Sequence, residues 1–103
     1  MAIILVLTTT DKKSIAKKIT KSLLDQKLIA CASIIPMESS YWWKGKIVNA
    51  KEFQVILKTK KENFEKVEKL IKKLHTYDLP EIISINVEKA GKDYIKWLET
   101  EIG

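Results

Sequence analysis

This sequence holds a single imidazole, His75, and a single thiol, Cys31. His75 lies in KLHTYDLPE, at the end of an amphipathic stretch. There it either interacts with the last carbonyls of a helix or serves as a copper or zinc ligand. A lone histidine with no second His or Cys nearby favours the first role. Cys31 sits inside the apolar run LIACASII. It reads as a small buried hydrophobe, and as a thiolate ligand for soft Cu(I) if a cleft exposes it. No catalytic triad or metal-activated hydrolase motif is present. The three glycines, at 45, 91 and 103, cannot form a P-loop or a dinucleotide fingerprint. A protein without enzymatic activity and without an organic cofactor is therefore expected.

The elements that would hold these groups follow from periodicity. Ala2 to Thr10 is a continuous apolar run ending in threonines, which predicts a central strand. Asp11 is the expected N-cap of a helix reaching about Lys27, with Ile15, Ala16, Ile19, Leu23 and Leu24 at helical spacing. Leu28 to Ile35 predicts a second strand, with Pro36 marking an edge position or a bulge. The strand resumes through Trp43, and Lys44-Gly45-Lys46 is a turn signal. Phe53 to Thr59 predicts the third strand. Lys61 to Leu74 predicts a helix with Phe64, Val67, Leu70, Ile71 and Leu74 as its apolar stripe. Glu81 to Glu88 predicts the fourth strand and Lys92 to Glu101 a last short helix. The order is βαββαβ with an extra C-terminal helix, an α+β fold of the ferredoxin-like type. Right-handed crossovers place strands one and three centrally and strands two and four at the edges.

Bulk properties bound the rest. The 103 residues suit one domain, spanning 1–103. The run Ala2 to Leu7 is far shorter than the ~20 residues of a membrane span, and no leader pattern is visible. Membrane insertion is not expected, and a cytoplasmic location is. All 19 basic residues are lysines against 13 acids, for a net charge of +6. The absence of arginine argues against a dedicated phosphate or nucleic-acid reader. The topology is shared with RNA-binding domains, but the strand-one run carries no aromatic and FQVILKT lacks their stacking pattern. No nucleic-acid partner is expected.

SSYWWKGKI raises a packing problem. Adjacent strand residues face opposite ways, so Trp42 and Trp43 cannot both enter one core. Burying one tryptophan is worth about 4–6 kcal/mol, from ~150–250 Å² at ~25 cal/mol per Å². Two helices cover only one face of a four-stranded sheet, and strands two and three are long enough to project. Other copies of the chain are expected to cover the exposed rings.

The stretches LIACASIIP, SSYWWKGKI, ILKTKKENFEKV, LHTYDLPEII and DYIKWL, in this order, resemble the CutA family of divalent-cation tolerance proteins over essentially the whole chain. The resemblance implies a homotrimer similar to the PII signalling proteins, with a long hairpin between strands two and three and clefts at the subunit interfaces. It implies a role in tolerance to copper and other divalent ions. In some relatives copper binding is attributed to a first-strand cysteine and two adjacent histidines. Those places hold Thr8, Leu74 and His75 here, so that site is expected to be weak or absent. The matching Lys58, Tyr77 and Glu81, with His75, are implied to line the interface cleft, and Glu52 and Trp43 could contribute from the hairpin. Such a set suits a small anion, a metal ion or a polar metabolite, and equally an ion-pair network holding subunits together. An architectural trimer that anchors a protein partner is the alternative. Many members have a glycine and one more residue after the proline, where this chain has Met37-Glu38-Ser39-Ser40, so a variant bulge is expected there.

Overall fold

The computed structural model describes residues 2–103. The chain forms β1 (Ile3–Thr10), α1 (Lys13–Asp25), β2 (Cys31–Trp43), β3 (Lys46–Lys60), α2 (Phe64–Leu74), β4 (Ile83–Asn86) and α3 (Lys92–Glu101). The sheet order is β2-β3-β1-β4, with every neighbour antiparallel. This is the expected ferredoxin-like topology, with β1 and β3 central.

Side-chain alternation divides the sheet into two unlike faces. Ile4 and Val6 of β1 and Val55 and Leu57 of β3 share one face and are buried. They pack against Ala16, Ile19 and Leu23 of α1 and Val67 and Ile71 of α2. The opposite face carries Ile3, Leu5 and Leu7 of β1, Ile83 and Ile85 of β4, and Ile35 of β2. At one end of it, Leu98 and Ile102, from α3 and just beyond, cover Ile3. Elsewhere this face is open: Ile35, Ile83 and Ile85 are 43%, 48% and 47% exposed.

Several boundaries differ from the sequence expectation, each for a local reason. β1 stays paired through Thr10↔Phe53, so the turn into α1 comes late and Lys12, not Asp11, is the N-cap. The Lys12 carbonyl accepts from the Ile15 and Ala16 N–H groups, and no side chain caps the helix. β2 begins at Cys31 because Leu28 is engaged in ending α1. Its N–H bonds the Leu23 carbonyl, and its own carbonyl accepts from Thr59 Oγ1 and Asn63 Nδ2. A 3₁₀ turn, Lys61–Asn63, precedes α2.

The β2–β3 register runs without a break from Cys31↔Lys58 to Trp43↔Lys46. Met37 to Ser40 pair normally with Glu52 to Asn49, so the expected bulge is absent. Pro36 needs none, because β2 is an edge strand and its missing N–H can face outward. At the hairpin end both Lys44 (φ 49°) and Gly45 (φ 77°) are left-handed, the signature of a two-residue type I′ turn that matches strand twist. The hairpin gives the chain its long axis, 45 Å against 26 and 22 Å.

Candidate functional site

The open sheet face ends, on the hairpin side, in a cleft of about 590 Å³. β1 contributes Thr9, β2 contributes Ser39 to Trp43, and β3 contributes Glu52. The segment between α2 and β4 closes it with Tyr77, Asp78, Leu79 and Glu81. Strand register explains the grouping. The pair Met37↔Glu52 puts Ser39, Tyr41 and Trp43 on the same face as Glu52.

His75 anchors the segment that closes the cleft. β4 extends along β1 only to Leu7, and beyond it the His75 Nε2–H donates to the Thr9 carbonyl at 2.6 Å. The Tyr77 N–H donates to His75 Nδ1 at 3.0 Å, which sets the tautomer with the proton on Nε2. Both ring nitrogens are therefore engaged, and a metal at His75 would have to displace one of these bonds. The His75 and Tyr77 rings lie 4.7 Å apart, and the Tyr77 hydroxyl donates to Glu52 Oε2 at 2.7 Å. Glu52 is 5% exposed, and no ammonium lies within ion-pair reach of it among the described residues.

Burial and the hydrogen bond to Glu52 push the Tyr77 phenol well above its ordinary value, so it stays a donor at neutral pH. Desolvation in the cleft, then the nearby Glu52 charge, raise the Glu81 carboxyl above its ordinary value. The cleft is thus acidic in a chain whose net charge is +6.

Trp43, Glu52, Tyr77 and Glu81 come together, with His75 behind Tyr77. Lys58 and Cys31 do not join them within one chain. They pair with each other across β2 and β3. Six residues along β3 separate Lys58 from Glu52, about 20 Å. Lys58 Nζ instead lies 5.4 Å from the Tyr94 ring of α3, and the Tyr94 hydroxyl holds the ammonium above its usual value. Cys31 is half-buried. Thr8 is fully buried on the helix-covered face, and its hydroxyl has no partner among the described residues. No group of three or more His, Cys, Asp or Glu side chains is disposed to hold a metal ion among the described residues. Sequence reasoning missed Thr9, Ser39 to Trp42, Asp78 and Leu79 as lining residues. Alternation through SSYWW could have placed Ser39 and Tyr41 beside Trp43.

Together these features define a ferredoxin-like α+β chain with an acidic, aromatic-walled cleft on an open sheet face. Residues 4–101 match the family model described as CutA1 divalent ion tolerance protein. The divalent-cation tolerance protein CutA of Pyrococcus horikoshii is 45% identical over 98 residues, covering 95% of this chain and 96% of that protein. The crystal structure of CutA1 from Pyrococcus horikoshii superposes with a TM-score of 0.93 at 43% identity, covering 97% of this chain and 98% of that one. The structure of the periplasmic divalent cation tolerance protein CutA from Archaeoglobus fulgidus gives 0.96 at 36% identity, covering 98% and 99%. This chain belongs to the CutA1 family of divalent ion tolerance proteins.

Proposed function

We propose that this protein is a homotrimer that acts in tolerance to divalent cations, binding copper or a similar ion, or a small ligand, at clefts between subunits. The observation that carries this reading is Glu52, a buried carboxylate facing a cleft with no cation beside it among the described residues. A buried charge needs a partner, and family membership makes a cation the natural one. The open apolar face supports assembly, because Ile35, Ile83 and Ile85 stand half exposed along it. Lys58 belongs to the cleft only if a neighbouring copy supplies it, and Cys31 reaches a metal only at such an interface. The mechanism is sequestration or signalling, not catalysis, and the location is the cytoplasm, although one relative is described as periplasmic.

A second reading rests on Trp42 and Leu79, each 72% exposed at the hairpin end. Apolar groups so placed suit a PII-like signalling or architectural trimer that anchors a protein partner.

Light scattering without metal at micromolar and nanomolar protein tests assembly, and the expected mass is three chains at both. Calorimetric titration with Cu²⁺ and Zn²⁺ then tests the ion. Saturable uptake that Glu81→Gln weakens supports the metal reading. Uptake no greater than that of an unrelated lysine-rich protein rejects it.

A further inference from the structure

The composition of the cleft walls points to a narrower ligand chemistry. The whole chain carries 19 lysines against 13 acids, yet no lysine lines the cleft, while Glu52, Asp78 and Glu81 do. Tyr41, Trp42, Trp43 and Tyr77 supply the aromatic surface between them. Glu52 is 5% exposed, and one hydrogen bond, from Tyr77, is all its carboxylate receives among the described residues. One Lys58 from a neighbouring copy would still leave the three carboxylates in excess.

A bare divalent ion is a poor fit to these walls. Hard cations want six or more converging oxygens, and softer ones want nitrogen or sulfur. The acidic side chains do not converge on one point among the described residues. Aromatic faces add nothing to a hydrated metal ion. They do attract a weakly hydrated organic cation, which gains from ring quadrupoles and from burial of its methyl groups together. The Trp43 ring already has one cation near it, the strongly hydrated Lys44 ammonium, with Nζ 5.9 Å from the ring centre. A volume of about 590 Å³ is within the range of small-molecule sites.

We infer that the cleft walled by Trp43, Tyr41, Tyr77, Glu52 and Glu81 binds a methylated organic ammonium ion. The carboxylates supply the counter-charge, and the rings replace its loosely held water. This inference rests on the small-ligand branch of the proposed function and names the chemical class of that ligand.

The test uses choline as probe and 3,3-dimethylbutan-1-ol, its uncharged isostere, as control. Binding to the full-length protein is followed by calorimetry and by tryptophan fluorescence. Choline is expected to saturate one site per chain, with the isostere at least about tenfold weaker. Trp43→Leu and Glu81→Gln are each expected to weaken choline by about fivefold or more, at unchanged mass by light scattering. Equal affinity for the two probes, or no choline binding by protein of the expected mass, overturns the inference. Saturable Cu²⁺ or Zn²⁺ uptake without choline binding also overturns it, and leaves the metal reading standing. A monomeric mass removes the interface reading, while choline binding by that monomer would still support the ligand class.

Discussion

The Tyr77 hydroxyl donates a 2.7 Å hydrogen bond to Glu52 Oε2, tying the segment after α2 to the middle of β3. It is the one hydrogen bond that the buried Glu52 carboxylate receives among the described residues. Tyr77→Phe leaves that carboxylate unsatisfied and is expected to cost about 1–3 kcal/mol. Glu52→Gln keeps an acceptor for the phenol and should cost less. Urea unfolding at one fixed protein concentration checks both, and a double variant that simply adds the two single effects would show that the bond contributes nothing of its own.

Glu81 sets a pH dependence with a definite sign. Its carboxyl is raised by desolvation and by Glu52, so the folded chain holds that proton more tightly than the unfolded chain. Its contribution to stability is fully present below the ordinary glutamate value and is lost as pH rises through the raised value. Glu81→Gln should therefore remove a downward step in the stability profile that begins just above about pH 4.3. Denaturation midpoints of the two proteins across that window provide the check, and parallel profiles would contradict the assignment.

The hairpin turn should tolerate little change in backbone chemistry. A Cβ on Gly45 would meet nothing within 4 Å, so crowding is not the obstacle. Its φ of 77° lies in the left-handed region that glycine favours, so Gly45→Ala is expected to cost about 1 kcal/mol in thermal unfolding. Lys44 is left-handed as well, so Lys44→Asn should raise the melting temperature.

The open sheet face predicts the behaviour of assembly variants. Ile85 is 47% exposed there, beside Leu5 in the β1–β4 register. If the proposed trimer assembles through this face, Ile85→Lys places a charge in the contact between copies and should reduce the light-scattering mass from three chains to one. Circular dichroism should show the fold retained. An unchanged trimeric mass would move the contact elsewhere.

Element order and strand position were legible because apolar runs and helical stripes are local in sequence. β1 and β3 read as central from Ile3–Leu7 and Val55–Leu57, and they are. Alternation along β2 was legible at Trp42 and Trp43, although both rings line the cleft at its hairpin end. Partner-dependent features were not legible. His75 looked like a helix-end imidazole or a ligand, and its actual partner, the Thr9 carbonyl, lies 66 residues away. Nothing near Glu52 in the chain forecasts its burial, which depends on Tyr77 closing over it. Asp11 looked like a cap by residue type, but strand pairing at Thr10 moved the cap by one position. The Met37–Ser40 departure suggested a bulge by comparison with relatives, and an unbroken ladder absorbs it.

The unbroken β2–β3 ladder also bears on how the chain folds. Its thirteen pairs start from a two-residue turn, so the first of them closes almost no loop. Loop-closure entropy then grows only one rung at a time. The β1–β4 pairs, by contrast, join residues such as Leu7 and Ile83, which need nearly the whole chain in place. The hairpin can zip early from Lys44-Gly45, while the short edge strand β4 waits for β1. Local pairing of this extent lowers the mean sequence separation of contacts, which favours faster folding than is usual for a sheet of this order. The consequence of that order of events is an early, finished ribbon with Trp42 and Ile47 in water.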